Sequence, residues 1–255
     1  MNSLENIAIS NNRPYYDRLY FWWARDKSDD IPIFLKLLEK KPHGRVLDLG
    51  GGFGRLAQKF AHVGREVTVV DKSSQMLRLG EQHISSDQSE VKALISWSCA
   101  DITSPLDELP LNWFAVAICA HNAINEITEE TSLNGLFANI GNHLEYEGIA
   151  LITAIQDVEY KNIKIFEFLD VFTDPDNCEW MVSTVTVPCL ENTRKHQLTF
   201  FYEKYVDGRM EERLARTIER RVWTIGELEI AAKKAGMVHL ENLDSEKIFA
   251  FQKLS

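Results

Sequence analysis

Residues 45–55 read Arg-Val-Leu-Asp-Leu-Gly-Gly-Gly-Phe-Gly-Arg, an apolar run passing without a spacer into Gly50, Gly51, Gly52 and Gly54. The pattern predicts a buried strand, a tight bend and then a helix. Glycine alone enters positive φ at little steric cost and lets a ligand approach the backbone closely. Two common nucleotide loops fit the bend poorly. The dinucleotide fingerprint G-x-G-x-x-G needs glycine at 55, where Arg55 stands, while the extra glycine falls at 54. A Walker loop needs Gly-Lys-Ser/Thr, and neither lysine nor a hydroxyl residue follows Gly54.

From residue 42 onward, short β-branched runs alternate with segments of helical period, the pattern of a parallel sheet flanked by helices. The class is α/β. Strands are expected at 45–49, 66–71, 95–100, 114–120 and 149–154, near-continuous apolar runs as befits strands covered on both faces. Between the last two, Leu133, Leu136, Phe137, Ile140 and Leu144 recur at helical spacing, with Thr128 the expected N-cap and Glu129 and Glu130 suited to the first turn.

The chain has 255 residues, 45% of them hydrophobic and 26% charged, ample for a buried core. Thirty-eight acidic against 28 basic side chains leave a net charge of -10, so nucleic acid is not an expected partner. No apolar run approaches the roughly 20 residues that span a bilayer, so no membrane partner is expected. The first residues lack a basic and then apolar leader pattern, and a cytoplasmic enzyme is expected. Cysteines 99, 119, 178 and 189 form no C-x-x-C pair, so neither a metal site nor a disulfide framework is expected.

Three regions of one domain are expected: 1–41, a helical lid; 42–155, the strand-helix core; and 156–255, antiparallel strands with a last helix. In the first, Tyr15, Tyr16, Tyr20, Phe21, Trp22 and Trp23 precede an amphipathic helix at 28–41. These rings either close a site or dock the helix. In the third, strands are expected at 180–187, 198–206 and 209–218, the last two joined by Asp207-Gly208, a hairpin signal. Thr224-Ile-Gly-Glu227 reads as a capping box for a helix ending at Gly236, followed by strands at 238–243 and 247–252. The hairpin region is expected to join the same sheet. Trp180, His196, Tyr202, Tyr205 and Trp223 are candidates for a partly aromatic substrate pocket, or for core.

The chemistry-bearing residues fall at the carboxyl ends of the expected strands, where open α/β sheets bind ligands. Asp48 precedes the glycines, Asp71 ends the second strand and Asp101 follows the third. A carboxylate at Asp71 suits two ribose hydroxyls, which supports adenosine recognition without choosing the cofactor. Asp101 in isolation reads equally as a turn carboxylate. After the fourth strand come Ala120, His121, Asn122 and Glu126. Histidine's ordinary pKa near 6.5 makes His121 a candidate proton acceptor, although a hydrogen-bonded loop histidine fits the same pattern.

The run Asp48-Leu-Gly50-Gly51-Gly52-Phe-Gly54 resembles motif I of the class I S-adenosylmethionine-dependent methyltransferases. Ser73-Ser-Gln-Met76-Leu77 resembles that family's Ser-x-x-Met-Leu helix start, and Cys99-Ala100-Asp101-Ile102 its adenine-binding acid. Arg221-Val-Trp-Thr-x-x-Glu227-Leu and Ala235-Gly236-Met237 are similar to its late segments, and Tyr16-Asp-Arg-Leu-Tyr20 to the opening of small-molecule members. Gly51, where Cys, Ala or Ser is commoner, and Glu145-Tyr-Glu-Gly148 depart from the pattern.

The resemblance implies a Rossmann-like fold with an N-terminal helical lid and a C-terminal antiparallel strand insertion, and S-adenosyl-L-methionine as cofactor. It implies that Asp48 lies near the cofactor's amino end, that Gly50, Gly51 and Gly52 border its methionyl and ribose portions, and that Asp71 holds the ribose. Lys72 and Met76 would flank the adenine, Asp101 and the Ile102 N–H would meet its edge, and Tyr16 and Tyr20 would close over the site. Ala120 would line the site, and His121, Asn122 and Glu126 would face the methyl group. The expected activity is methyl transfer to nitrogen or oxygen of a small-molecule metabolite. Two alternatives are other chemistry at the same sulfonium, releasing methylthioadenosine, and a catalytically silent binding protein.

Overall fold

The computed structural model describes residue 22 and residues 30–39, 41, 43–84, 88–155, 165–174, 176–189, 194–241 and 248–255. Helix α1 (Ile31–Leu38) leads into β1 (Arg45–Leu49), α2 (Arg55–His62), β2 (Val67–Asp71), α3 (Ser74–Gln82), α4 (Ser89–Ala93) and β3 (Ile95–Cys99). Then follow β4 (Phe114–Cys119), a 3-10 turn at Ala123–Glu126, α5 (Glu130–His143) and β5 (Leu144–Thr153). The later part comprises β6 (Phe166–Thr173), β7 (Glu179–Pro188), β8 (Lys195–Val206), β9 (Arg209–Arg221), α6 (Ile225–Lys234), β10 (Met237–His239) and β11 (Ile248–Lys253).

Seven strands form the main sheet in the order β10-β11-β5-β4-β1-β2-β3. Strands β1 to β5 pair in parallel, and β11 lies antiparallel to both β5 and β10. The sheet is buried because its strands are apolar on both faces. Alternation along β1 sends Leu47 and Leu49 to the face covered by Leu136 and Phe137 of α5, and Val46 to the face covered by Phe34 of α1 and Phe60 of α2. Asp48 shares Val46's face by the same alternation. Strands β1 and β4 are neighbours although two strand-helix units separate them in sequence, so the topological switch point, with its ligand crevice, lies at their carboxyl ends.

The hairpin region does not join this sheet, a correction to the sequence reading. Strands β6 to β9 form a separate four-stranded antiparallel sheet in chain order. Strand β5 has β4 on one side and β11 on the other, so it has no free edge to offer. The hairpins therefore pair with one another. Phe172, Trp180, Val182 and Tyr202 form a small core on this second sheet, against which Trp22 and, from α3, Met76 and Leu79 pack. The second sheet thus sits over the carboxyl ends of the first.

Helix α5 starts at Glu130 with Glu129 as N-cap and no side-chain cap, rather than at Thr128. The capping box at α6 is formed as expected. No helix among the described residues is long and apolar enough to cross a membrane.

Candidate active site

The glycine bend is built as its sequence demands. Gly50 and Gly52 have φ of 72° and 56°, where a side chain would strain the backbone. The Gly50 N–H donates to the Val70 carbonyl oxygen at 2.8 Å, tying the bend to β2. At the end of β2, one carboxylate oxygen of Asp71 accepts from the Gly52 N–H at 3.0 Å and the other from the Ser73 N–H at 2.8 Å. Burial raises the Asp71 carboxyl above its usual range, although these two hydrogen bonds oppose it. Ser73 caps α3 by accepting from the Met76 N–H at 3.3 Å.

Asp48 is 2% exposed and lies beneath the bend rather than on the cavity wall. A Cβ on Gly51 would stand 2.7 Å from its carboxyl carbon, so the missing side chain is what makes room for the acid. Burial lifts Asp48 to about 7, with the Arg55 charge lowering it and Asp71 raising it. Arg55 makes a two-pronged ion pair with Asp30, each contact 2.8 Å.

Asp101 forms a turn, accepting from both the N–H and the hydroxyl of Thr103, at 2.8 and 2.7 Å. Against the upward push of partial burial, those bonds and the Lys72 charge hold its carboxyl below the usual range. The turn reading and a place at the cavity therefore hold together. After β4, His121 and Asn122 stand consecutively in the left-handed region, at φ of 55° and 59°. Non-glycine residues seldom adopt it, and such strain clusters at functional sites. The Asn122 N–H donates to the Thr153 hydroxyl at 2.8 Å, which anchors the turn to β5. Desolvation lowers His121 to about 4, with Arg55 and Arg220 adding to the effect and Asp30 opposing it.

These elements surround a cavity of about 1310 Å³ between the two sheets. Gly50, Gly51, Gly52, Arg55, Asp71, Lys72 and Met76 line one part of its floor, and Asp101, Ile102, Ala120, His121, Glu126 and Glu129 are among those that line another. Asp48 and Asn122 do not line it. Tyr16 and Tyr20 lie outside the described residues. From the N-terminal aromatic run, Trp22 reaches the cavity, its indole N–H donating to Asp170 at 3.2 Å and its ring edge-on to Tyr202 at 6.1 Å.

The roof is the inner face of β6–β9, with His196, Leu198, Phe200, Arg216, Ile218 and Arg220 among its residues. Of the five rings and imidazoles expected to build a substrate pocket, only His196 lines the cavity. Trp180 and Tyr202 are core of the second sheet, and Trp180 donates to Asp174 at 2.9 Å. Trp223 is core of the first sheet and donates to the Ile127 carbonyl, while Tyr205 is 38% exposed. The sequence reading missed Phe200, Arg216 and Arg220. Their signal was the alternation Leu214, Arg216, Ile218, Arg220, which places two arginines on the same face as two apolar residues.

Residues 46–148 match the family described as methyltransferase domain. YqeM of Bacillus subtilis (strain 168), assigned by name as a methyltransferase, is 28% identical over 195 residues, which cover 76% of this chain and 73% of the relative. Among solved structures, CalS10 of Micromonospora echinaspora, an amino pentose methyltransferase with S-adenosylmethionine bound, is 16% identical with a TM-score of 0.72, covering 94% of this chain and 96% of that one. The sugar N-methyltransferase KedS8 of Streptoalloteichus sp ATCC 53650 is 14% identical with a TM-score of 0.74, covering 100% of this chain and 98% of that one. Over 46–148 the chain is therefore similar to a methyltransferase domain, and as a whole it shares the fold of these two solved methyltransferases, one of which holds S-adenosylmethionine.

Proposed function

We propose that this chain, a methyltransferase by its domain at 46–148, transfers the methyl group of S-adenosylmethionine to a nitrogen or oxygen of a small-molecule metabolite. The observation that carries the reading is the meeting of the glycine bend, Asp71, Asp101 and the turn after β4 on one cavity floor, with a second sheet as roof. The donor set fits the cofactor. Asp71 keeps lone pairs for the ribose hydroxyls beyond its two backbone bonds, and the unsubstituted Gly52 leaves space beside it. Asp101 and the Ile102 N–H are assigned to the adenine edge, with Lys72 and Met76 at its flanks. Gly50, Gly51 and Ala120 border the remainder, and Asp48 favours the cofactor's ammonium from below through its charge. When bound, the cofactor supplies a methyl group activated on a sulfonium.

The protein's own part is alignment and exclusion of water. His121, whose pKa is lowered by desolvation and by the Arg55 and Arg220 charges, accepts a hydrogen bond from the nucleophile. Glu126, also on the floor, is the acid available to attract a cationic amine. Asn122 fixes the turn that presents His121. That CalS10 is an amino pentose methyltransferase and KedS8 a sugar N-methyltransferase supports nitrogen as the acceptor atom.

The test is incubation of the pure protein with S-adenosylmethionine and a panel of amines and alcohols, with the nucleoside product identified by mass spectrometry. S-adenosylhomocysteine together with a methylated acceptor is expected. Methylthioadenosine as the product, or cofactor binding without turnover of any acceptor, would overturn the assignment.

A further inference from the structure

The roof of the cavity carries arginines where its floor carries acids. Along β9, Arg216, Ile218 and Arg220 share one face and line the cavity. Across the ladder on β8 stand Phe200 opposite Arg216, Leu198 opposite Ile218, and His196 opposite Arg220. Strands β8 and β9 therefore alternate guanidinium and apolar rungs, while Glu167 of β6 and Thr184 and Thr186 of β7 line the same roof. The floor beneath carries the acids Asp71, Asp101 and Glu126 and would receive a donor that bears a sulfonium and an ammonium. Guanidinium groups on the opposite wall repel those same cations, and the chain as a whole is acidic, at -10.

Holding arginine in a concave wall costs desolvation that an anion offsets. The Arg220 side chain is 14% exposed, and its contact with Glu126 is long, at 3.9 Å. A guanidinium has five N–H donors in a planar fork, so that contact is compatible with a two-pronged grip on a ligand carboxylate or phosphate. We propose that the acceptor is an anionic metabolite whose carboxylate or phosphate lies against Arg216 and Arg220, with His196 as a further donor and the apolar rungs Leu198, Phe200 and Ile218 against its body. This rests on the cavity being the methyl-transfer site. It makes β9 the strand that selects the acceptor.

The experiment uses the full chain saturated with S-adenosylhomocysteine, titrated calorimetrically with inorganic pyrophosphate in one arm and malonate in the other. Saturable binding in at least one arm is expected, weakening as salt rises, and the responding arm identifies phosphate or carboxylate. Arg216→Gln/Arg220→Gln should weaken that binding at least tenfold while S-adenosylhomocysteine affinity stays unchanged, which also reports that the variant is folded. Should that variant fail to fold, Arg216→Lys/Arg220→Lys keeps the charges and loses the fork, and a severalfold weakening is expected. In turnover assays, amino acids against their amides and amino-sugar phosphates against free amino sugars should show at least a tenfold preference for the anionic partner. Absence of binding in both arms, equal turnover of neutral and anionic partners, or arginine variants that bind the anions as the wild type does would overturn the proposal. A tenfold loss of S-adenosylhomocysteine affinity in the glutamine variant would overturn it too, assigning the arginines to the donor's own carboxylate. Failure of the wild type to bind S-adenosylhomocysteine would instead remove the methyltransferase reading itself.

Discussion

Asp48 brings an acid into a wholly buried position, and burial raises its pKa to about 7 from 3.8. The sign of the consequence follows. The unfolded carboxyl gives up its proton first, so between roughly pH 4 and 7 the folded state holds the extra proton and stability falls as pH rises. The ammonium of S-adenosylhomocysteine favours the ionised form, so its affinity should increase from roughly pH 6 to 8, with release of a proton to the buffer. Calorimetry in buffers of different ionisation enthalpy measures both, and Asp48→Asn should abolish the dependence. Gly51→Ala places a methyl group 2.7 Å from the Asp48 carboxyl and 2.8 Å from Val69, and should cost about 1–3 kcal/mol in urea denaturation. Asp71→Ala should weaken S-adenosylhomocysteine binding by about 1.5–3 kcal/mol, as loss of charge-assisted bonds would, and unchanged affinity would remove Asp71 from the ribose.

At the scale of elements, the capping box of α6 draws other parts of the molecule together. Thr224 and Glu227 satisfy each other's backbone N–H groups, and Glu227 also accepts from Arg194 at 2.6 Å and Arg221 at 2.9 Å. Thr224→Ala should destabilise the chain by about 1 kcal/mol, measured as a lower urea midpoint with an unchanged slope. Such local signals made much of the fold legible. The central parallel strands announce themselves because burial on both faces leaves them nearly continuously apolar, as in Phe114–Cys119, where all six residues are buried, whereas the edge strand Ile95–Cys99 carries two serines and buries only Ile95. Strand β6 was missed because Phe166-Glu-Phe-Leu-Asp-Val-Phe-Thr mixes acids with rings, and Phe166 and Phe168 are 61% and 54% exposed. The floor of the site was legible for the same reason as the strands: Asp71, Asp101 and His121 follow strand ends directly. The roof was not, because which face of β9 turns inward depends on pairing with β8 across the chain, and an arginine read alone looks solvated.

For the whole molecule, the packing of α3 on the second sheet's core implies a shared response of the two sheets to the proposed donor. At about 100 times its dissociation constant, S-adenosylhomocysteine should add roughly 2.7 kcal/mol of stability. Hydrogen exchange should slow at β1 and β2 and also at β7 and β8, because Met76 and Leu79 of α3 pack on the second sheet's core. Protection confined to β1 and β2 would mean that the two sheets respond separately. The separation of those sheets has an evolutionary consequence. On the proposed assignment, donor chemistry belongs to one ladder and the choice of acceptor to another that shares no backbone pairing with it, so substitutions along β8 and β9 would redirect such an enzyme to new metabolites while its universal reagent stays in place.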